Sequence, residues 1–498
     1  MIEGVKAKTP GLVAHPTELA DARASALLGV DTARADRRPW KVWIGRTLAV
    51  VLPATLWFVP LALDLTAKHA LAIALFMIIA WITEALPHAI TGLVGCYLFW
   101  ILGVVKFNVA FSGFSTDTPW FYFGALLFGL MATKSGLARR LAYLVMLRVG
   151  NSYSRILLGL IILSFMLTFL VPSGTACVVI MAAIALGLLD AYGFGPGSNI
   201  GRGMFITLTY TAGMFDKMVI AGPASILGRG LIEKSAHIEV LWSKWMLAYL
   251  PLGIITIFAT WRLVLWLYPP EKRLLAGGSG FLKDELKKMG PWSAIEKHAL
   301  VLMLLALALW MTDFIHHIPP SMIGLGVGLF ATLPRLGILN TDDVKSINYL
   351  SIIFVAAAIS LGEVLIQTKA LDLITNVMFA WMAPLVKNVF SLSVVPYWTA
   401  FTYHLFLGTD VSMLSTSIPP LMNFATANHL NPLMLGMIWT FAAGGKIFVY
   451  QSAVMIVGYS YGHFEARDML RVGICLTIIE SILLLILVPL YWPLLGIG

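Results

Sequence analysis

Long apolar stretches follow one another along most of the chain, separated by short polar breaks. The strands of a transmembrane barrel would alternate apolar and polar residues. Stretches such as Leu157–Leu170 and Ala176–Leu189 are instead apolar almost without interruption, so they predict membrane-embedded helices. At about 20 residues for each crossing plus short turns, the chain has room for about ten to fourteen spans, and we expect about eleven transmembrane helices. The fold class predicted from the pattern is therefore an all-α polytopic membrane protein.

The composition supports this prediction and excludes other classes. Of the 498 residues, 59% are apolar and only 12% are charged. A soluble domain has roughly 45–50% apolar and about 25% charged residues. A soluble enzyme, a disulfide scaffold and a disordered protein are therefore excluded. The three cysteines lie far apart in apolar segments, and they predict neither a metal site nor a disulfide framework.

The net charge of +9 is concentrated in two regions, the N-terminal tail and the segment Glu271–Lys297. Basic loops mark the cytoplasmic side of a membrane protein. The tail also lacks the apolar segment of a signal peptide. We predict a cytoplasmic polar tail (1–41), a first span and transmembrane repeat 1 (42–268), a basic cytoplasmic linker (269–297) and transmembrane repeat 2 (298–498). No motif indicates a nucleic-acid partner.

Several apolar stretches are too short to cross a bilayer and end at Gly, Pro, Ser or Thr, which is typical of broken helices and re-entrant hairpins. These breaks recur in order at an offset of 229–235 residues. The paired segments are 83–87 with 312–320, 123–134 with 354–369, and 211–217 with 441–446. An odd number of crossings per repeat would orient the repeats oppositely. We therefore expect two inverted-topology repeats with two re-entrant hairpins, the architecture of secondary transporters.

The first hairpin tip is predicted near residues 172–176. A tip frees backbone N–H groups, and the helix that follows presents its positive end there. Ser173, Gly174 and Thr175 are therefore candidates for binding an anion, and the two hydroxyl groups could also coordinate sodium. The alternative is a proline kink whose Ser and Thr residues only cap a helix.

The second tip is predicted near residues 408–412, where Thr409 and Asp410 are the candidate binding residues. A carboxylate at this depth is costly unless it is paired or binds a cation. One interpretation is a site for a coupling cation or a proton. The other is a salt bridge from Asp410 to a lysine.

Two lysines, Lys217 and Lys446, occupy matching positions in the two repeats, and each stands just before a polar break. The residues of the breaks that we single out for substrate binding are Gly222, Pro223, Ser225, Gln451 and Ser452. A buried ammonium group needs a partner. It could serve an anionic substrate or replace a bound metal cation. The alternative is that Lys217, beside Asp216, marks a helix end and reaches the membrane surface.

The remaining polar residues of the apolar segments are given structural roles. Glu84 and Asp313 precede prolines at the ends of spans, and His404 is interpreted as hydrogen-bonded packing. No nucleophile motif, zinc motif or phosphate-binding loop is present in the sequence, so we predict that the protein is not an enzyme and has no resident cofactor.

Four segments carry a resemblance to a known family. They are WITEALPHAITGL, FSGFSTDTPWFYFGALLFGLMATKSGLARRLA, SKWMLAYLPLGI and GYSYGHFEARDMLRVG. In this order they resemble the divalent anion:sodium symporter family, which carries dicarboxylates, citrate and sulfate. The resemblance covers both repeats. It implies an elevator-type transporter of small anions in the cytoplasmic (inner) membrane, with a cytoplasmic N-terminus, a homodimeric assembly and sodium as the coupling ion.

The family places Ser-Asn-Thr at each tip and a Thr-Pro-Pro-Asn-like loop behind it. This chain has Ser173-Gly174-Thr175 at the first tip and Thr409-Asp410-Val411 at the second, and the family's asparagines are missing from both tips and both loops. We therefore expect cation-coupled transport or exchange of a di- or tricarboxylate or sulfate-like anion. In one hypothesis lysines stand where relatives hold sodium; in the other, protons couple through Asp410. The competing class is a non-transporting scaffold or sensor with the same fold.

Overall fold

A computed structural model describes residues 39–171, 173–273, 275, 277–407, 409–444 and 447–497. Within these ranges the regular elements are helices, and no strand is present. The helices of the first half are α1 (Pro39–Phe58), α2 (Leu65–Ile82), α3 (His88–Ile101), α4 (Phe107–Ala110), α5 (Asp117–Lys134), α6 (Leu137–Val149), α7 (Tyr153–Leu170), α8 (Gly174–Tyr192), α9 (Asn199–Met218), α10 (Pro223–Ala236) and α11 (Trp242–Leu267).

In the described part of the linker, α12 (Gly278–Met289) forms before α13 begins. The helices of the second half are α13 (Ala294–Met311), α14 (Asp313–His316), α15 (Pro320–Phe330), α16 (Thr341–Lys345), α17 (Tyr349–Gln367), α18 (Ala370–Phe379), α19 (Val389–Phe406), α20 (Asp410–Ala427), α21 (Pro432–Ala442), α22 (Ala453–Ser460) and α23 (Ala466–Leu490). Short 3₁₀ turns cover Ser112–Ser115, Ala380–Met382, Val449–Gln451 and Trp492–Leu495.

The same series of helices occurs twice. Helices α2 to α11 match α13 to α23 in order, with the four-residue α14 as an additional turn. Several matched helices are similar in length: α8 and α20 have 19 and 18 residues, and α11 and α23 have 26 and 25. Others differ, since α9 has 20 residues and its counterpart α21 has 11. The predicted duplication therefore appears in the order and the lengths of the helices.

Contacts between the two halves are reciprocal. Helix α3 packs on α17, and their counterparts α15 and α5 pack on each other. In the same way α8 packs on α22 and α20 on α10. Exchanged pairs of this kind are what a twofold relation between two similar units produces. The opposite orientation of the two repeats across a membrane stays a prediction.

Seven helices of the described chain are long and apolar enough to cross a membrane, or eight if the bent pair α5 and α6 forms one span. They are α2, α7, α8, α11, α13, α17 and α23. The sequence pattern predicted about eleven crossings. The difference arises because several apolar segments fold into shorter helices, such as α3, α15 and α21, and their crossing of a bilayer stays a prediction.

The linker packs against repeat 1 as well as connecting the repeats. Helix α12 lies on α6 and α8, and a Cβ on Gly187 of α8 would clash with the ring of Phe281. Arg140 of α6 is buried, and it donates to Glu296 at 2.6 and 3.2 Å and to the carbonyl of Gly290 at 2.9 Å. Helix α6 carries three arginines, Arg139, Arg140 and Arg148, of which Arg139 and Arg148 are exposed. The structure turns Arg140 inward because Glu296 offers it a matching carboxylate.

Asp313 has the structural role predicted for it. Its carboxylate is fully buried and accepts hydrogen bonds from the backbone of Trp242 at 2.7 Å and of Ser243 at 3.4 Å. These N–H groups begin α11 and have no partner within that helix. Asp313, the first residue of α14, therefore caps α11 and fixes the turn that follows α13 to the last helix of repeat 1.

Candidate functional site

The break between α7 and α8 falls where the sequence predicts the first hairpin tip. Helix α7 ends at Leu170 and α8 begins at Gly174; Pro172 lies outside the described residues. The hydroxyl of Ser173 accepts a hydrogen bond from the backbone of Ala176 at 3.3 Å and lies 3.0 Å from the hydroxyl of Thr175. Ser173 is thus the N-cap of α8, the role named in the alternative interpretation.

The break between α9 and α10 is held together by Ser225. Its hydroxyl donates to the carbonyls of Asp216 at 2.9 Å and Gly222 at 3.0 Å, and it accepts from the backbone of Gly222 at 3.1 Å. Pro223 occupies the first position of α10, where its missing N–H costs nothing. Ser225 therefore shapes the loop through the backbone.

The second tip, between α19 and α20, is built in the same way as the first. Thr409 is the N-cap of α20, and its hydroxyl accepts from the backbone of Ser412 at 3.4 Å. Asp410 begins the helix, and its Oδ1 accepts from the backbone of Val411 at 2.9 Å. Gly408 lies outside the described residues.

The loop before α22 is the counterpart of the break between α9 and α10. The side-chain oxygen of Gln451 accepts from the backbones of Ile447 and Phe448, each at 2.9 Å. Ser452 is the N-cap of α22 and accepts from Val454 at 3.4 Å. Gln451 thus folds its own loop, as Ser225 does in the first half. Lys446, the predicted counterpart of Lys217, lies outside the described residues.

The glycines show how closely these segments meet. A Cβ on Gly174 would lie 2.8 Å from Cγ2 of Val454 and 3.2 Å from Oδ2 of Asp216. A Cβ on Gly222 would lie only 2.6 Å from the same Oδ2. The first tip and the break before α10 therefore both lie against the carboxylate of Asp216, and the start of α22 lies against the first tip. At both positions a glycine leaves space for the Asp216 carboxylate that the Cβ of any other residue would occupy.

Lys217 joins this group to the second tip. Its ammonium group lies 3.4 Å from Oδ1 of Asp216 and 3.3 Å from Oδ2 of Asp410, and it donates to the carbonyl of Gly213 at 3.1 Å. Lys217 is only 2% exposed, Asp216 5% and Asp410 8%. The lysine therefore does not reach the membrane surface, and the salt bridge expected as one of two alternatives for Asp410 is present. We call these three residues the ion cluster.

A small cavity lies beside the ion cluster. Its volume is about 10 Å³, close to the space that one water molecule needs. Its lining includes Lys217, Tyr210 and Phe441, together with the buried carboxylate of Glu480. The hydroxyl of Tyr397 donates to Glu480 at 3.1 Å. Polar side chains therefore line the cavity on one side of the ion cluster.

Sequence reasoning did not select Asp216 as a functional residue. The sequence indicated only that Asp216, beside Lys217, could mark the end of a helix. In the structure its carboxylate lies against both Gly174 and Gly222. The one sequence feature that could have indicated a functional role for Asp216 is its position next to a lysine inside an apolar segment. Its approach to two distant glycines depends on the tertiary fold.

The geometry defines a class of protein. Breaks between helices of both halves come together around buried charged residues in a duplicated membrane fold, and secondary transporters place their binding sites at such breaks. The family model described as "Sodium:sulfate symporter transmembrane region" matches residues 40–497. The chain belongs to this family, which confirms the resemblance seen in the sequence.

Relatives extend over nearly the whole chain. A membrane protein of Cupriavidus necator is 26% identical over 88% of this chain and 89% of its own length. The putative malate transporter YflS of Bacillus subtilis is 24% identical over 90% of this chain and 96% of its own length. The L-tartrate/succinate antiporter of Escherichia coli is 25% identical over the same shares. The family and these relatives confirm a multi-pass membrane protein that is not an enzyme.

Proposed function

We propose that the protein is a secondary transporter that moves small organic anions, of the di- or tricarboxylate class, through the membrane by alternating access. The observation that carries the proposal is the ion cluster. In it Lys217 pairs with Asp410 of the second tip and with Asp216, whose carboxylate lies against Gly174 of the first tip. Membership of a symporter family supports it, as do a relative named as a malate transporter and another named as a tartrate and succinate antiporter. Sulfate-like anions are the second substrate class.

Lys217 takes the place of a coupling cation in this proposal. Its ammonium group is surrounded by one carbonyl and two carboxylate oxygens, the ligand type that hard metal cations prefer. A sodium ion and the ammonium group could not occupy this position together. The tip and loop asparagines of the family are also absent from this chain. The protein then works without sodium, as an exchanger or a uniporter, while proton coupling through Asp410 is the rival mechanism.

The substrate binds where the tips meet. Ser173, Gly174 and Thr175 offer hydroxyl and backbone groups from the first tip, and Thr409 offers the same from the second. The first turns of α8 and α20 add the positive ends of two helices. Gly222, Pro223, Ser225, Gln451 and Ser452 contribute through the backbone of the two loops, because Ser225 and Gln451 already use their side chains to fold those loops.

The moving unit consists of the two hairpins and the interrupted helices, α7 to α10 and α19 to α22. It slides against a scaffold that contains α2, α3, α5, α13, α15 and α17. Two ion pairs join the unit to the scaffold through α10. Arg229 lies 3.5 Å from Asp117 of α5, and Lys234 lies 3.0 Å from Glu363 of α17. An elevator motion has to break or exchange these pairs.

The remaining expectations are part of the same proposal. The N-terminal tail and the basic linker face the cytoplasm, in accordance with the positive-inside rule. The protein lies in the inner membrane of a bacterial-type cell. Two copies form a homodimer through their scaffolds.

Uptake of radiolabelled succinate or malate into proteoliposomes tests the proposal. We expect uptake in the absence of sodium. Unlabelled anion inside the vesicles is required for this uptake if the protein is an exchanger and is not required if it is a uniporter. The competing class is a scaffold or sensor that no longer transports. Absence of uptake, together with no thermal stabilisation by di- and tricarboxylates or sulfate, would favour that class.

A further inference from the structure

Each hairpin tip already carries a carboxylate of the protein. At the first tip, Oδ2 of Asp216 lies against Gly174, the first residue of α8, and Gly222, the N-cap of α10. At the second tip, Asp410 is the first residue of α20 and accepts a hydrogen bond from Val411 at 2.9 Å. Helix N-termini are where an anion is best stabilised in a buried site. The protein's own side chains thus occupy places that suit the anionic groups of a substrate.

The charges of the ion cluster do not cancel. Asp216 and Asp410 bring two negative charges, and Lys217 brings one positive charge at 3.4 and 3.3 Å from them. The sum of these three residues is therefore one negative charge, and all three are buried. Charges interact strongly where water is excluded, so each further negative charge on a substrate is repelled by the unbalanced carboxylate.

A fixed cation cannot adjust to the substrate. A free coupling ion can bind together with each added negative charge, whereas Lys217 is one charge tethered to α9 and already shared between two carboxylates. A substrate with one negative charge fits this arrangement better than a dianion of the same shape. Asp216 is the decisive carboxylate because it fills the space between Gly174 and Gly222.

We propose that Asp216 is a specificity-determining residue that makes the site select a substrate with a single negative charge, a monocarboxylate or the singly protonated form of a dicarboxylic acid, over the corresponding dianion. The inference rests on the proposed function and deepens it by naming the charge of the substrate. In this inference the carboxylate of Asp216 occupies the place that a second carboxylate of the substrate would take.

Succinate and monomethyl succinate test this inference, because they share a carbon chain and differ by one negative charge near neutral pH. The purified full-length protein is compared with Asp216→Asn, which keeps the side-chain shape and removes the charge. Asp190→Asn is the matched control, since Asp190 is exposed at the far end of α8. Thermal stabilisation by each compound measures binding, and uptake into proteoliposomes measures transport.

We expect the wild-type protein and Asp190→Asn to bind monomethyl succinate more tightly than succinate. In Asp216→Asn the ratio of the two affinities should move toward succinate by about tenfold or more, the effect of about 1.4 kcal/mol of charge interaction. Asp216→Glu retains the charge and should retain the wild-type preference, which separates a charge effect from a folding defect.

A wild-type preference for succinate, or a ratio that is unchanged in Asp216→Asn, would overturn the inference. Binding with the expected preference but without uptake would support the inference and contradict the proposed transport function. Uptake of succinate in preference to its monoester would support transport and contradict the inference.

Discussion

Replacing Lys217 by methionine removes the only positive charge of the ion cluster. Asp216 and Asp410 then face each other across an apolar side chain, each at least nine-tenths buried. Removing one partner of a buried ion pair costs about 3–5 kcal/mol, because the remaining charge is left without compensation. We therefore expect Lys217→Met to lower the free energy of unfolding by about 3–5 kcal/mol.

Unfolding by SDS in mixed micelles, followed by tryptophan fluorescence, measures this loss. Lys234→Met is the matched control, because Lys234 is also paired with a carboxylate but its side chain is 37% exposed. A partly exposed pair contributes about 0–1 kcal/mol. Adding Asp410→Asn to Lys217→Met should recover part of the stability. Equal and small losses in both lysine variants would refute a charge-compensating role for Lys217.

Three further substitutions test other parts of the structure. Arg140→Gln leaves the carboxylate of Glu296 buried without its partner, and it should lower the unfolding free energy by about 3–5 kcal/mol in the same assay. Asp313→Ala removes the cap of α11 and should cost about 1–2 kcal/mol. Gly222→Ala places a Cβ 2.6 Å from Oδ2 of Asp216, so it should reduce anion uptake while thermal unfolding shows a folded protein.

Each of these expectations has a contradicting result. Arg148 is exposed, so Arg148→Gln serves as the control for Arg140→Gln. Equal free energies of unfolding for the two variants would show that the contact between Arg140 and Glu296 contributes nothing to stability. Asp313→Ala without a measurable loss would contradict the capping role. Wild-type uptake by Gly222→Ala would show that the tip tolerates displacement of the Asp216 carboxylate.

The order of helices could be predicted from the sequence because a bilayer leaves few choices. Apolar stretches must form helices there, and breaks at Gly, Pro, Ser and Thr mark where they stop. The tips before Gly174 and Asp410 were predicted in this way, as was the recurrence of the breaks at a near-constant offset. Length was harder to predict, since an apolar segment does not reveal where a helix such as α21 ends.

The directions of the polar side chains depend on tertiary contacts. Arg140 and Arg148 belong to one amphipathic helix, but only Arg140 meets a carboxylate from the linker, and it is therefore buried. For Asp410 the sequence left two alternatives, and the structure shows the ion pair with Lys217 that one of them expected. The surroundings of Asp216 include Gly174, which is 42 positions away along the chain, and Gly222, which is 6 positions away. No local sequence pattern could have shown these contacts.

If Lys217 stands in place of a coupling cation, transport needs no sodium. Anion exchange by the wild-type protein in proteoliposomes tests this directly, measured with sodium present and with all sodium replaced by choline. The initial rates of exchange should be equal under the two conditions. Exchange that stops when sodium is removed and returns when it is added would contradict it.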